Sequence, residues 1–128
     1  MSAHAEQRLI IEMGSGNDMY GQDYTKAAIR AVEDAIRHSS LPLFKGLGLG
    51  HDVMRVQVTI GAQDPSGVDI EAVRAHLPRG RAEVTAVKGG LDVINSDAGT
   101  HIVIATAAVE AFLPKPLPMV ATVKSNGH

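Results

Sequence analysis

Apolar and polar residues alternate in two different rhythms along this chain, and those rhythms predict where strands and helices lie. The β-rich run at residues 8–13 stops at a glycine, which predicts a short buried strand. Apolar residues then recur with helical spacing over residues 24–38, which predicts an amphipathic helix with Asp23 as its N-cap. The glycines at 46, 48 and 50 predict a flexible loop, with a lid over a site as the alternative.

The second half of the chain is dominated by strand patterns. Residues 53–61 alternate between apolar and polar, which predicts a half-exposed strand. Residues 64–78 predict a short helix, and residues 82–90 predict a third strand. The apolar run at 101–109 predicts a fourth strand, although its alanines leave a helix open. Three prolines in the tail, residues 114–128, predict an extended arm that could add an edge strand.

Together these elements predict an α+β fold. We expect one domain over residues 1–113, followed by the proline-rich arm at 114–128. The predicted order is β-α-β-α-β-β, with a four- or five-stranded sheet and two helices packed on one face. The last apolar strand shows little polar alternation, so we expect another subunit to cover the other face, in a homo-oligomer such as a trimer or ring.

Composition narrows the class of protein without naming a function. Of 128 residues, 45% are hydrophobic and 20% are charged, which is ordinary for a globular domain. A net charge of −2 favours neither nucleic acid nor a membrane surface as a partner. The absence of cysteine excludes disulfides and thiol catalysis, and the N-terminus lacks a signal-peptide pattern, so we expect a cytoplasmic protein. The six histidines are scattered without ligand spacing, so we predict neither a metal nor a cofactor.

The candidate chemistry lies at the first strand-to-helix corner, in a predicted glycine loop at residues 14–22. Lys26 and Arg30 share one helical face near the positive end of the helix dipole, where a bound anion would relieve their repulsion. The loop would add backbone N–H groups, which together favour a carboxylate, phosphate or oxyanion site. In the alternative reading, Arg30 pairs with Asp34 and Lys26 is solvated. The predicted ligand-binding residues are Gly14, Gly16, Gly21, Gln22, Thr25, Lys26 and Arg30.

Two residues are candidates for proton or nucleophile chemistry. Asp23 is explained as the N-cap, whereas Asp18 has no evident capping role and is the better candidate for an acid–base carboxylate. Ser96 lies in the segment NSDAGTH, which has no nucleophile-elbow motif, so its local sequence alone makes it a turn residue. No phosphate-binding glycine motif is complete, and nucleotide binding is therefore not predicted.

The corner resembles the signature of a small conserved hypothetical family, G-x-G-x-D-x-H-G near the N-terminus. Gly14, Gly16, Asp18 and Gly21 match this motif, and Tyr20 stands where the family has histidine. The resemblance implies that a site exists at the corner, and it carries no established activity with it. The departure at Tyr20 puts a metal-binding or imidazole-based role for the motif in doubt.

Two segments are also similar to one repeat of the ring-opening amidohydrolases, the cyanuric acid hydrolase and barbiturase group. They are the glycine loop running into DYTKAAIRA, and NSDAGTHIVIATA. This resemblance implies three α/β units around a central site where a serine–lysine pair opens a cyclic amide. Ser96 would stand at the catalytic serine, Thr59 stands where the activating lysine is expected, and Lys88 is a possible substitute. One repeat per chain implies a homotrimer with ligand sites between subunits.

Two functions follow as expectations. The first is a small-molecule-binding protein, in its enzymatic form a hydrolase-like enzyme acting on a small anionic or cyclic-amide compound. Asp18 or Ser96 would do the proton or nucleophile chemistry, while Lys26 and Arg30 stabilise developing negative charge. The alternative is a non-catalytic metabolite-sensing or protein-interaction module, which needs an exposed patch rather than a shielded titratable group.

Overall fold

Strands predominate over helices in the computed structural model of this chain, which describes residues 6–37, 54–77 and 81–114. A 3-10 turn at Pro65–Gly67 precedes the second helix. In chain order the elements are β1 (Glu6–Asp18), α1 (Tyr24–Arg37), β2 (Arg55–Ala62), α2 (Ile70–Arg74), β3 (Arg81–Lys88), β4 (Leu91–Asn95) and β5 (Thr100–Pro114).

All of these strands belong to one mixed sheet in which β5 is central. The order is β1-β5-β2-β3, with β5 antiparallel to both β1 and β2. Strands β2 and β3 are parallel, as expected for strands joined through a helix, here α2. Strand β4 pairs antiparallel with the first residues of β5, on the side that β2 occupies further along.

Helices α1 and α2 bury one face of the sheet. Alternate residues of β5, from Val103 to Leu113, point to this face, as do Val56, Val58 and Ile60 of β2. Neither helix of the described part of the chain is long and apolar enough to cross a membrane. The residues that α1 buries are mostly small: Ala27, Ala28, Ala31, Val32 and Ala35.

Gly14 and Gly16 belong to β1, where that strand passes directly beneath α1. A Cβ atom at Gly14 would lie 2.5 Å from the carbonyl oxygen of Ala31, and one at Gly16 would lie 2.5 Å from Arg30 Cβ. Real Cβ atoms do not approach other atoms so closely, so the two glycines allow the strand and the helix to pack together. The predicted loop at residues 14–22 is therefore wrong over its first half, because β1 continues to Asp18.

The predicted β-α-β-α-β-β order, in which only the tail could add a fifth strand, is also wrong. The described residues follow the order β-α-β-α-β-β-β, because residues 91–95 form the unpredicted strand β4. That segment contains Asp92 and Asn95 among apolar residues, a pattern too short and polar to indicate a strand without its partner β5. The predicted arm beyond Pro114 and the glycine loop at 46–50 lie outside the described residues.

The other face of the sheet carries no helix within the described ranges, and its two ends differ. At one end the Arg55 guanidinium pairs with Glu6 and Glu83 and lies 4.3 Å from the centroid of the Phe112 ring. This pairing raises the pKa of Arg55 further, chiefly through its hydrogen bonds to Glu6. The other end is an exposed apolar strip formed by Ile11, Met13, Val87, Leu91 and Val93.

Candidate functional site

Asp18 is buried at the end of β1 and organises the turn into α1. Its Oδ2 accepts a hydrogen bond from the Asp23 amide at 3.0 Å, and its Oδ1 lies 3.6 Å from the Arg30 guanidinium. Arg30 also donates to the Asn17 carbonyl at 2.6 Å. Both carboxylate oxygens thus have partners, as in a structural residue, and the acid–base role of Asp18 stays a prediction.

The first turn of α1 satisfies its own backbone. Asp23 Oδ1 accepts from the Lys26 amide at 3.0 Å, which confirms Asp23 as the N-cap. The Thr25 hydroxyl accepts from the Asp69 amide at 2.8 Å and donates to the Gly67 carbonyl at 3.3 Å, so it joins α1 to the start of α2. A ligand role stays a prediction for every residue of the predicted set: Gly14, Gly16, Gly21, Gln22, Thr25, Lys26 and Arg30.

Ser96 begins the exposed turn that joins β4 to β5. Asn95 closes this turn by accepting from the Ala98 amide at 3.2 Å, and Gly99 supplies the positive φ of 68° that the turn requires. No hydrogen bond within the described ranges engages the Ser96 hydroxyl, so the structure brings it no general base. Its role as a nucleophile stays a prediction.

A chain of polar side chains, absent from the sequence predictions, joins α1, β4 and β5. Tyr24 Oη donates to Asp92 Oδ2 at 2.5 Å, and His101 Nε2 lies 3.3 Å from the same oxygen. Asp92 is paired with Val103 across the ladder, so Asp92 and His101 are diagonal neighbours on the helix-covered face of the sheet. Their side chains are 20% and 28% exposed. We refer to Tyr24, Asp92 and His101 as the Tyr–Asp–His cluster.

The cluster has one polar atom without a partner. Oδ1 of Asp92 is buried and accepts no hydrogen bond from any residue that the structure describes. A buried acceptor in this state carries a desolvation cost of about 1–3 kcal/mol. Both of the donors that reach Asp92 are on Oδ2, so Oδ1 is the place where an added donor would be stabilised.

Tyr24 acts as a fixed donor in this cluster. Its hydrogen bond to Asp92, together with burial and the negative charges of Asp92 and Asp64, raises the pKa of Tyr24 to about 12. The phenol therefore keeps its proton at neutral pH and holds the carboxylate in place.

The fold delivers Asp92 to this position by moving the chain from β2 to β5. Strand β3 lies beside β2, whereas β4 lies beside β5, and the crossing point is packed backbone against backbone. A Cβ atom at Gly89 would lie 3.1 Å from Gly61 Cα, and Gly90 has a positive φ of 63°. Gln63 donates to the Gly89 carbonyl at 3.1 Å and fixes the crossing. The cluster thus lies beyond the carboxyl ends of β2 and β3, where α/β sheets commonly bind ligands.

Sequence reasoning missed the cluster because its members are far apart in the chain and belong to no motif. Asp92 is in an unpredicted strand, and His101 was one of six scattered histidines. Within residues 6–37, 54–77 and 81–114, no group of three or more histidine, aspartate or glutamate side chains could hold a metal ion. The only signal available was Tyr24 at the start of the predicted helix, and its hydroxyl pointed to no particular partner.

Comparison with known proteins places the fold without supplying a function. The model of a family of conserved hypothetical proteins, Lin0512, matches residues 8–111. The crystal structure of an FtsZ-like protein of unknown function from Nostoc punctiforme is similar, with 38% sequence identity and a TM-score of 0.70, covering 88% of this chain and 99% of that one. No curated protein matches. The predicted likeness to a conserved hypothetical family is confirmed to that extent.

Proposed function

We propose that this chain, which belongs to the Lin0512 family of conserved hypothetical proteins, binds a small polar molecule at the Tyr–Asp–His cluster. Membership of that family does not by itself assign an activity. The observation that carries the proposal is the buried Asp92 Oδ1, which has no donor among the described residues. Because Oδ1 is covered in the free protein, a bound molecule has to displace that cover, and its N–H or O–H group would then supply the missing donor and offset the desolvation cost.

The chemistry of the cluster selects the class of ligand. An ionised carboxylate only accepts hydrogen bonds, so Asp92 would repel a phosphate or carboxylate aimed at Oδ1. A cyclic amide presents an N–H next to a carbonyl group, and it was among the ligands that the sequence predicted. We therefore retain the cyclic amide and move its site from the glycine loop to the cluster.

The start of α1 contributes to the same proposal. Tyr24 is the first residue of α1, so a molecule bonded to Asp92 lies close to the positive end of the helix dipole. The carbonyl group beside its N–H would be stabilised there. Asp92 and the helix terminus then favour opposite ends of one amide group, which gives the bound molecule a single orientation.

A thermal-shift titration tests this proposal. Wild type, Asp92→Asn and Lys26→Ala would be titrated with cyclic amides, acyclic amides, carboxylates and phosphates. A ligand at 100 times its dissociation constant adds about 2.7 kcal/mol of apparent stability. We expect cyclic amides to stabilise wild type and Lys26→Ala, and to leave Asp92→Asn unshifted. The proposal fails if no N–H compound stabilises the wild type, or if Asp92→Asn responds equally. Loss of the response in Lys26→Ala alone would return the site to the glycine corner.

Whether the bound molecule is converted separates an enzyme from the metabolite-sensing alternative. In the hydrolase-like form, which the amidohydrolase resemblance suggested, ring opening would add the mass of one water to the ligand. Mass spectrometry of the stabilising compound after incubation with wild type and Asp92→Asn distinguishes the two. Wild-type-dependent mass gain supports an enzyme, and an unchanged compound supports a sensor.

We also propose that the protein is a homo-oligomer, with the exposed apolar strip as its contact surface. Met13 is 73% exposed and Leu91 is 55% exposed on the sheet face opposite α1 and α2, and side chains of this kind favour burial against another chain. Light scattering of wild type and Met13→Lys tests this. A wild-type mass of two or more chains that falls in Met13→Lys supports the proposal, and a monomeric wild type overturns it.

A further inference from the structure

We propose that His101 is the proton-accepting group of this site, and that Asp92 positions it for acid–base chemistry on the bound molecule. The inference rests on the proposed function and deepens it, because it assigns a reaction step to the same cluster. It is carried by the arrangement of the hydrogen bonds, in which Asp92 receives both Tyr24 and His101 on a single oxygen.

The contact with Asp92 selects the tautomer of His101. Nε2 lies 3.3 Å from Asp92 Oδ2, and an ionised carboxylate can only accept, so Nε2 carries the hydrogen. Placing the proton on the carboxyl group instead would leave a neutral acid donating to Nε2, and imidazole is the stronger base of the two groups. A neutral imidazole has one N–H, so Nδ1 of His101 keeps its lone pair and is the basic atom.

The basic atom remains available to a ligand. No hydrogen bond within the described residues engages His101 Nδ1, and the side chain is 28% exposed. A base that is oriented by a second group through its other nitrogen is the arrangement used for proton transfer in many active sites. Tyr24 supports it by holding Asp92 in place without competing for the proton, since its hydroxyl is already a donor.

The proposed step moves one proton and consumes nothing else. An N–H or O–H bond of the bound molecule breaks, its proton goes to His101 Nδ1, and the electron pair stays on the ligand. The imidazolium then has a hydrogen on both nitrogens, and Asp92 stabilises it through Nε2–H. The ligand class is a compound whose N–H or O–H is flanked by carbonyl groups, because these spread the negative charge that remains. The same charge would be stabilised by the start of α1.

Other charged groups lie on the elements around the cluster. Asp18 flanks Val103 on the β1 side as Asp92 does on the β4 side, and its carboxylate is held by the Asp23 amide and Arg30. Asp64, in the loop after β2, adds negative charge at Tyr24 and accepts from the Ser66 hydroxyl at 2.6 Å. Lys26, which follows Tyr24 by two residues on α1, is exposed, and no hydrogen bond or ion pair of its side chain is found there. Asp92 is the carboxylate within hydrogen-bond distance of His101.

The tautomer can be read directly in the protein without a ligand. Long-range proton–nitrogen correlation spectra of the full 15N-labelled chain would be recorded above the titration range of histidine, with His101→Gln to assign the signals. We expect His101 of the wild type to show Nε2–H with unprotonated Nδ1. The same form should persist in Asp18→Asn, the matched control, and give way to a mixture of tautomers in Asp92→Asn. An Nδ1–H tautomer in the wild type, or the same mixture in wild type and Asp92→Asn, would overturn the inference.

A second measurement tests whether the lone pair is accessible, and it does not depend on any variant folding. Diethyl pyrocarbonate modifies an imidazole nitrogen with a free lone pair, and mass spectrometry of peptides gives the rate at each histidine. His76 is an internal control, because its ring is exposed and Nδ1 is engaged with the Ala72 carbonyl at 3.0 Å. We expect His101 to be modified at a rate comparable to that of His76, because each neutral imidazole keeps one nitrogen with a free lone pair. A resistant His101 beside a reactive His76 would overturn the inference. The proposed function is tested separately, by the ligand titration, and does not depend on this result.

Discussion

Asp18 and Asp92 are two aspartates on strands of the same sheet, both close to helix α1, and their surroundings differ in one respect. Asp18 has a partner on each oxygen, the Asp23 amide on one and Arg30 on the other. Asp92 has two donors on Oδ2 and none, among the described residues, on Oδ1. A satisfied carboxylate stabilises the fold, whereas a buried oxygen without a donor marks a place that a ligand can complete.

The comparison of these two aspartates shows that the most conspicuous motif of a sequence need not mark the site that the folded chain forms. The motif around Gly14, Gly16 and Asp18 is the more conspicuous feature of the sequence, and its glycines lie beneath α1 as packing surface. Asp92 and His101 belong to no motif, and the fold alone brings them to Tyr24. The close approach of β1 to α1 therefore explains Gly14 and Gly16 without a ligand. No packing contact among the described residues explains why Asp92 Oδ1 has no hydrogen-bond donor.

The largest effect is expected where the corner is packed most tightly. Gly16→Ala would place a methyl group against the backbone of Ala27 and Ala31, which cannot rotate away. We expect a loss of about 3 kcal/mol in the free energy of unfolding, the upper part of the usual range for overpacking. Denaturant unfolding measures it, and Ser15→Ala, exposed in the same strand, is the control. A loss below that of the control would show that β1 and α1 are not in close contact.

Removing the Asp18 carboxylate is the next largest change. Asp18→Ala leaves the Asp23 amide without its acceptor and Arg30 without its ion partner, so we expect a loss of about 2 kcal/mol in unfolding free energy. The His101 tautomer should be unchanged, because the Asp18 carboxylate bonds to the Asp23 amide and Arg30 rather than to His101. If stability is kept while the ligand response disappears, Asp18 belongs to the site and the comparison with Asp92 is reversed.

Tyr24→Phe tests the comparison of the two aspartates at the Tyr–Asp–His cluster. The substitution removes the donor to Asp92 and keeps the ring, so we expect a loss of about 1 kcal/mol in unfolding free energy. Tyr20→Phe is the matched control, because Tyr20 is 81% exposed and should show no measurable change. Equal effects of the two substitutions would mean that the bond between Tyr24 and Asp92 does not form in solution.

The last expected effect is a dependence of stability on alkaline pH. The folded pKa of Tyr24 is about 12, above the ordinary tyrosine value of 10.0, so folding favours the protonated phenol. The resulting stability is complete below pH 10 and is lost as the pH rises from 10 towards 12. Denaturant unfolding at several pH values should show a steeper decline for wild type than for Tyr24→Phe. Parallel curves would contradict the raised pKa.

The sequence predicted the elements whose residue pattern indicates them without knowledge of a partner strand or helix. Helix α1 follows from alanines at helical spacing behind the Asp23 cap, and α2 follows from Ile70, Val73 and Leu77 at helical spacing. The structure adds Asp69 as the N-cap of α2, since its carboxylate accepts from the Ala72 amide. Strand β4 could not be predicted, because it depends on pairing with β5 across a turn. The extension of β1 over Gly14 and Gly16 was read as a loop, since glycine normally disfavours a strand and only the facing helix explains it.

The site was less predictable than the fold for a similar reason. A corner rich in glycine and charge is visible along the chain, whereas the satisfaction of a carboxylate oxygen depends on residues that only the folded sheet brings together. Tyr24 and His101 reach Asp92 through the crossing from β3 to β4, which contains Gly89 and Gly90. Apart from these two adjacent glycines, no local sequence pattern indicates that the chain crosses from β2 to β5.

One measurement on a matched pair of variants tests the difference between the two aspartates most directly. Asp18→Asn and Asp92→Asn make the same chemical change, and each would be unfolded with and without the N–H compound that stabilises the wild type. We predict that Asp18→Asn loses more stability and keeps the full ligand response, whereas Asp92→Asn loses less stability and gives no response. The opposite result, with ligand stabilisation abolished in Asp18→Asn and intact in Asp92→Asn, would contradict the assignment of the site to Asp92.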